Sequence, residues 1–379
     1  MIPSLTRRAT LAVLGLALAP LAACAPASSA HGLTVVATTT QICDYVTQIA
    51  AASKDLSLDK TDASGTQSHV GVAPDSAALT MSLTCLLAPN ASAHEHEMTP
   101  SQAAALANAD VMAVSGVDLE HFLDDAVTSS GFHGRMVVTS GVLTAADIDN
   151  PGASDPEGAY TIDRGNERVD VAPWPFPPEE AGEEPEFRYD PHVWTSPKGA
   201  RIQVANLGAG LAAAAPDAAS SINAATASYL EELDALDQWS AEAIETVPEG
   251  QRVLFTSHDA FGYFSRDYGI SFIGAALSDF NDQQDATADH IASAVQAVKD
   301  SGAVALFAEN SNNSKSIEAI ARGAGVTPIV GDDALYGDSL GPDGSEGATY
   351  VGSIIHNVRA VTQAWGGTVP QLPERLKDQ

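Results

Sequence analysis

Residues 220–247 read SSINAATASYLEELDALDQWSAEAIETV, and this stretch divides the chain into two halves of similar pattern. Its apolar residues recur at helical spacing, which predicts one helix of nearly thirty residues. At 1.5 Å per residue such a helix is about 40 Å long, enough to bridge two domains. The apolar positions are Ile222, Tyr229, Leu230, Leu233, Leu236 and Trp239.

Short β-rich runs alternate with helical patterns on both sides of this stretch. The alternation predicts the α/β class, with two similar lobes that each contain a parallel sheet flanked by helices. The helix that follows residues 83–87 has a clear start, because Thr99 can cap it and Pro100 can occupy its first position. Predicted strands are 33–38, 83–87, 111–114 and 136–139 in the first half, and 253–256, 270–276, 304–308 and 328–330 in the second.

The N-terminus has the pattern of an export signal. Arg7 and Arg8 precede an apolar run over 9–21, which is too short to span a bilayer, and the run ends in Leu21-Ala22-Ala23-Cys24. Small residues before a cysteine resemble the bacterial lipoprotein box. We therefore predict a signal peptide at 1–23 and a lipid anchor on Cys24 that holds the body at the membrane surface. The alternative is an ordinary secretory signal with an incidental cysteine, and export is either general or twin-arginine.

Two cysteines remain after Cys24. Cys43 and Cys85 form an even pair in an exported chain, so the oxidising compartment predicts a disulfide between them. Two buried free thiols are the alternative.

The charge balance is strongly acidic. There are 18 Lys and Arg against 49 Asp and Glu, a formal net charge of −31. This balance excludes nucleic acid, whose phosphates are bound by Lys and Arg. It attracts cations, but it is equally explained as charge for solubility.

A region rich in Pro, Gly and acidic residues lies at about 151–188. Its composition predicts a long surface insertion without a secondary-structure element. The simpler interpretation of its acidic cluster is a solvent-exposed charged surface. The alternative is that the cluster raises the local concentration of metal ions. The acidic cluster is Glu179, Glu180, Glu183, Glu184 and Glu186.

Four separated segments each place a metal-ligand residue at or just past the end of a predicted strand, where ligands bind in open α/β sheets. The first is 86–101 with His94, and the second is 190–194, DPHVW, with His192. The third contains SHDAFGYF at 257–264 with His258, and the fourth is 335–341 with Asp338.

In their order and spacing, these segments resemble the zinc- and manganese-binding cluster of ABC-transporter solute-binding lipoproteins. The resemblance covers nearly the whole mature chain and implies two α/β lobes joined by a long rigid helix, with the metal in the cleft between them. The implied boundaries are 24–216 for the N-terminal lobe, 217–248 for the linking helix and 249–379 for the C-terminal lobe. The implied metal ligands are His94, His192, His258 and Asp338.

The chain departs from the family pattern at the first ligand. A Gly-Ala-Asp-Pro-His approach is replaced by Asn90-Ala91-Ser92-Ala93-His94. This leaves His96 as an alternative, but His94 keeps the family's distance to Thr99-Pro100-Ser101. The chain also has extra sequence around 62–75 and an acidic insertion in place of a His-rich loop.

The chemistry of these residues is consistent with capture of a metal. Imidazole nitrogens and a carboxylate suit Zn²⁺, and four protein ligands close a tetrahedron, whereas a catalytic zinc keeps one open position. The interpretation is extracytoplasmic capture of Zn²⁺, with Mn²⁺ as the alternative ion. The partners are an ABC permease with its cytoplasmic ATPase and, through the lipid anchor, the cell membrane. The protein is expected to act as a monomer.

Several alternatives stay open at this stage. Glu309, at the end of strand 304–308, rivals Asp338 as the carboxylate ligand, and Glu95 and His96 could support the site or first contact the ion. A secreted zinc hydrolase is a rival function, but the chain has no His-Glu-x-x-His helix and no Gly-x-Ser-x-Gly elbow. A metal-binding adhesin is another, without support from a repeat array. The other histidines, expected to be surface or satisfied core residues, are His31, His69, His121, His133, His290 and His356.

Overall fold

The computed structural model describes residues 32–94, 96–150, 158–175, 187–276 and 288–377. The predicted signal peptide, the Cys24 anchor, Glu95 and the five glutamates of the acidic cluster lie outside the described residues. Within them, no helix is both long enough and apolar enough to cross a membrane.

The first half of the described chain forms a sheet in the order β3-β2-β4-β1-β5-β6-β7, parallel except for the β2–β3 pair. Its strands are β1 Leu33–Ala37, β2 Leu56–Thr61, β3 Gln67–Gly71, β4 Leu79–Cys85, β5 Val111–Val114, β6 Arg135–Val138 and β7 Thr161–Asp163. Its helices are α1 Thr40–Ala51, α2 Pro100–Ala107, α3 Leu123–Ser130, α4 Ala145–Asp149 and α5 Pro197–Ala214.

The long helix α6, Ala219–Glu245, connects this lobe to a second parallel sheet, ordered β11-β10-β8-β9. The strands of the second lobe are β8 Val253–Thr256, β9 Ser271–Ala275, β10 Ala305–Phe307 and β11 Thr327–Ile329. Its helices are α7 Gly262–Tyr268, α8 Ala288–Ser301, α9 Lys315–Ala324 and α10 Tyr350–Ala364. The predicted α/β class, with two lobes and a long helix, is confirmed.

Helix α6 is held in place by the apolar stripe that predicted it. Tyr229, Leu233 and Trp239 are buried, and the helix packs on α5 of the first lobe and α10 of the second. Burial of large apolar side chains is the main favourable term in folding, so one helix contributes to the cores of both lobes. The predicted cap of α2 is also present, since Thr99 and Gln102 form a reciprocal capping box.

Strands β2, β3 and β7 of the first lobe are not predicted from the sequence pattern. Strand β3 and the turn before it lie in the extra sequence around 62–75, directly after β2. Strand β3 is mostly exposed, so it lacks the buried alternation that marks a strand. The prediction that 151–188 contains no element is wrong for β7, a three-residue edge strand that pairs with β6. The Pro- and Gly-rich surroundings conceal so short an edge strand.

The predicted pairing of Cys43 with Cys85 is present as a disulfide between α1 and the end of β4. Both cysteines are buried in the core of the first lobe. The bond therefore ties the first turn of α1, which starts at the sheet's carboxyl edge, to the end of β4 at the same edge.

Candidate metal centre

Three imidazoles and one carboxylate converge between the two sheets. His94 lies in the loop from β4 to α2, and His258 follows β8 by two residues. His192 precedes α5, and Asp338 lies between β11 and α10. One nitrogen or oxygen atom from each lies within 4.8 Å of the others, and their side chains are at most 5% exposed.

The separations of these atoms match the edges of a coordination polyhedron. His94 Nε2 lies 3.1 Å from His192 Nε2 and 3.6 Å from Asp338 Oδ2. Asp338 Oδ1 lies 3.5 Å from His192 Nε2 and 3.7 Å from His258 Nδ1. Bonds of about 2.0–2.2 Å to a tetrahedral ion place ligand atoms roughly 3.4 Å apart. The four side chains can therefore hold one divalent ion without large rearrangement.

Asp190 orients His192 from the side opposite the cluster. Its Oδ1 lies 2.8 Å from Nδ1 of the imidazole and 3.0 Å from the backbone nitrogen, which donates to it. A carboxylate at this position places the proton on Nδ1 and leaves the Nε2 lone pair for a metal. The arrangement requires glycine at 262, because a Cβ there would lie 2.3 Å from Asp190 Oδ2.

Glu309 stands beside His258. Its Oε1 accepts the backbone N–H of His258 at 2.8 Å, and its Oε2 lies 3.6 Å from the Nδ1 atom. Among the described residues, the cluster within 4.8 Å contains Asp338 and not Glu309. The rival carboxylate is thus placed to support His258, while Asp338 faces all three imidazoles.

The electrostatics of the cluster reflect burial and mutual charge. Burial holds the pKa of His94 well below its usual value, and the neighbouring His192 and His258 act in the same direction. Burial opposes protonation of His258 as well, but Asp338 and then Glu309 raise its pKa to about 10. Burial also acts against ionisation of Asp338, yet His258, His94 and His192 hold its pKa below the ordinary value.

The segment carrying Asp338 is held by three side chains of the first lobe. Ser92 Oγ donates to Asp338 Oδ2 at 2.7 Å, and Gln41 Nε2 donates to the Asp338 carbonyl at 3.0 Å. Trp194 Nε1 also donates to the carbonyl of Gly337 at 2.9 Å. These bonds leave the carboxylate aimed at the imidazoles.

Two aromatic rings of the insertion, those of Trp174 and Phe187, pack against imidazoles of the cluster. The centroid of Trp174 is 6.1 Å from that of His192, and the centroid of Phe187 is 5.5 Å from that of His94. The backbone N–H of Trp174 donates to the carbonyl of Arg188 at 3.1 Å, which holds these two parts of the insertion together. The two rings limit access of water, which strengthens electrostatic interactions inside.

His96 lies outside the cluster. Its ring packs on Phe122 with centroids 5.0 Å apart, and burial lowers its pKa. Among the described residues, the first segment thus contributes His94 to the cluster. The role of Asp190 was not predicted, although its position two residues before His192 in the quoted motif was the available signal.

Comparison with known proteins places this geometry in a family. The chain matches the model of the family described as zinc-uptake complex component A, periplasmic, over residues 35–364. The chain belongs to this family. Its members are substrate-binding components of metal transporters and not enzymes, which removes the hydrolase alternative.

Individual relatives in this family differ in their metal. The manganese-binding lipoprotein MntA of Bacillus subtilis is 28% identical over 285 residues, which cover 74% of this chain and 82% of that protein. The zinc-binding protein TroA of Treponema pallidum is 32% identical over 184 residues, or 47% of this chain and 58% of that protein. The relatives therefore have metal binding in common but differ in the ion that they bind.

Solved structures agree with the fold. The periplasmic zinc-binding protein TroA of Treponema pallidum superposes with a TM-score of 0.61 at 23% identity, covering 88% of this chain and 99% of that one. A manganese-bound periplasmic metal-binding protein of Candidatus Liberibacter asiaticus gives 0.62 at 17% identity, with coverages of 87% and 98%. At these identities the likeness shows the family fold alone.

Proposed function

We propose that this chain captures Zn²⁺ outside the cytoplasm and delivers it to the permease of an ABC importer, which a cytoplasmic ATPase drives. The observation that carries the proposal is the convergence of His94, His192, His258 and Asp338 at polyhedral spacing. Three imidazoles and one carboxylate form a donor set typical of zinc. Four protein ligands fill the coordination sphere of the ion, which suits a protein that binds the metal for transport and not for catalysis.

Mn²⁺ is the second candidate, supported by a specific feature of Asp338. Its two oxygens face different imidazoles, Oδ2 toward His94 and Oδ1 toward His192. A carboxylate that contributes both oxygens adds a fifth donor, and Mn²⁺ prefers more oxygen ligands than Zn²⁺ does. The imidazole at 258 nevertheless favours zinc, because manganese stands at the weak end of the divalent affinity order.

The test is metal competition on the mature protein. We expect elemental analysis of purified protein to find about one zinc per chain. Titration of metal-free protein with either ion, in competition with a chelator, should give tighter binding of Zn²⁺. Equal or tighter binding of Mn²⁺ would instead assign the site to manganese, and failure to bind either ion would refute metal capture.

The location of the protein is part of the same proposal. We place the mature chain on the extracytoplasmic face of the cell membrane, anchored through Cys24, as a monomer with lobes at 24–216 and 249–379. Changing Cys24 to Ala should release it into the medium, because the lipid attachment site is lost. Continued retention in the membrane fraction would contradict the anchor.

A further inference from the structure

An amide of the second lobe links the two metal-bearing segments at the rim of the candidate centre. Asn310, three residues after β10, donates through Nδ2 to Oδ1 of Asn90 at 2.8 Å and to the carbonyl of Ser339 at 3.0 Å. Asn90 lies in the loop that carries His94, and Ser339 follows Asp338. One side chain thus connects the first ligand loop to the last.

Two further hydrogen bonds join the same two segments. The backbone N–H of Asn90 donates to the carbonyl of Leu340 at 3.1 Å, and Ser92 Oγ donates to Asp338 at 2.7 Å. Asn90 is exposed whereas Asp338 is 2% exposed, so the amide contact lies on the outer side of the centre. His94 and Asp338 cannot separate without breaking these bonds.

Asn90 holds a backbone conformation that limits which residues can replace it. Asn90 has a φ of 62°, in the left-handed region that glycine adopts freely and asparagine tolerates. A glycine at this position would therefore keep the backbone of the loop and lack the amide that reaches Asn310.

We propose that Asn90 and Asn310 form an interlobe latch that slows release of the captured ion. The inference rests on the proposed function, since it presumes that the four ligands hold a metal. Neither residue touches the ion, so both are positioning residues. Because the latch forms as His94 and Asp338 come together and must break before they separate, it acts on dissociation and not on association.

The decisive variant is Asn90→Gly, which retains the left-handed backbone and removes only the amide. A side-chain hydrogen bond contributes about 0.5–1.5 kcal/mol net, so we expect zinc dissociation into a chromogenic chelator to accelerate roughly 2- to 10-fold. The association rate should not change. Co²⁺ substituted for zinc should give the same absorption spectrum in both proteins, because the ligands are intact.

A double-mutant cycle separates the latch from general loosening. Asn310→Ala should accelerate zinc dissociation at least as much as Asn90→Gly, and Asn90→Gly should add nothing further in the Asn310→Ala background. Gln296→Ala is the matched control, because it removes an exposed amide that donates to Asp300 at 2.9 Å within α8. Its dissociation rate should equal that of the unaltered protein.

Two outcomes overturn the latch. One is an unchanged dissociation rate in Asn90→Gly, and the other is full additivity of the two substitutions. An unaltered protein that binds no zinc refutes the proposed function instead, so the two failures are distinguishable.

Discussion

Asp190 Oδ1 lies 2.8 Å from Nδ1 of His192 and 3.0 Å from its backbone nitrogen, so one carboxylate fixes both the rotation and the tautomer of a candidate ligand. Both side chains are at most 1% exposed. In metal sites, outer carboxylates of this kind orient the imidazole and increase its basicity.

We expect Asp190→Asn to weaken zinc binding about 10- to 100-fold, the effect typical of such partners. The amide is nearly isosteric, so the loss arises from orientation and charge and not from volume. Zinc affinity by chelator competition is the measurement. Asp59→Asn is the matched control, because Asp59 also lies 2.8 Å from a histidine Nδ1, that of His69, but on the exposed β2–β3 hairpin. Equal affinities for the two variants would contradict the role given to Asp190.

The sequence predicted the elements with strong periodicity and the residues inside short motifs. Helix α6 followed from its apolar stripe, and His192 and His258 followed from DPHVW and SHDAFGYF. Contacts that depend on tertiary packing were not accessible. The approach of Glu309 to His258 joins residues 51 positions apart, and the cover formed by Trp174 and Phe187 depends on how the insertion folds back. Neither leaves a local pattern in the chain.

Asp44 gives the protein a pH-dependent stability. Its Oδ2 accepts the backbone N–H of Tyr350 across the two lobes at 2.8 Å, and burial raises its pKa from 3.8 to about 6. The folded state therefore binds this proton more tightly than the unfolded state. The stability contributed by Asp44 is full below pH 3.8 and is lost as the pH rises through about 6.

We expect Asp44→Asn, which cannot ionise, to remove this dependence. Relative to the unaltered protein, its free energy of unfolding should rise by up to roughly 3 kcal/mol between pH 4 and pH 7.5. Urea unfolding of metal-free protein at both pH values measures the difference. The neighbouring Gln48, which donates to Asp44 Oδ1, can rotate its amide to accept from the new side chain. If the two proteins differ in free energy of unfolding by the same amount at both pH values, the raised pKa assigned to Asp44 is wrong.

The Cys43–Cys85 disulfide closes a loop with a sequence separation of 42. On the chain-entropy model, a loop of this length stabilises the fold by about 4 kcal/mol. We expect Cys43→Ser combined with Cys85→Ser to lower the free energy of unfolding by that amount in denaturant titration. Thiol labelling of the unaltered, unreduced mature protein in denaturant should modify neither cysteine. Quantitative labelling of both cysteines would show that the mature protein lacks this disulfide.

His258 is the position at which metal preference is expected to change. Replacing it with Glu adds an anionic oxygen, which serves Mn²⁺ better than an imidazole does, so His258→Glu should narrow the preference for zinc. His258→Ala should open one position and weaken both ions. Competition titrations with Zn²⁺ and Mn²⁺ measure both effects. An unchanged zinc affinity in His258→Ala would exclude His258 from the site.

Metal capture should displace a proton from His258. Burial opposes its protonation, but Asp338 and Glu309 raise its pKa to about 10, so the metal-free imidazole is charged at neutral pH. A ligating imidazole must be neutral, and the bound ion therefore replaces that proton. The depressed pKa of His94 means that this residue has no proton to release when the metal binds.

We expect calorimetry at pH 7.5, in two buffers of different ionisation enthalpy, to show about one more proton released per zinc by the unaltered protein than by His258→Ala. Zinc affinity should also increase between pH 6.5 and pH 8.5 in the unaltered protein more steeply than in the variant. Equal proton release by the two proteins would show that His258 is already neutral before the metal arrives.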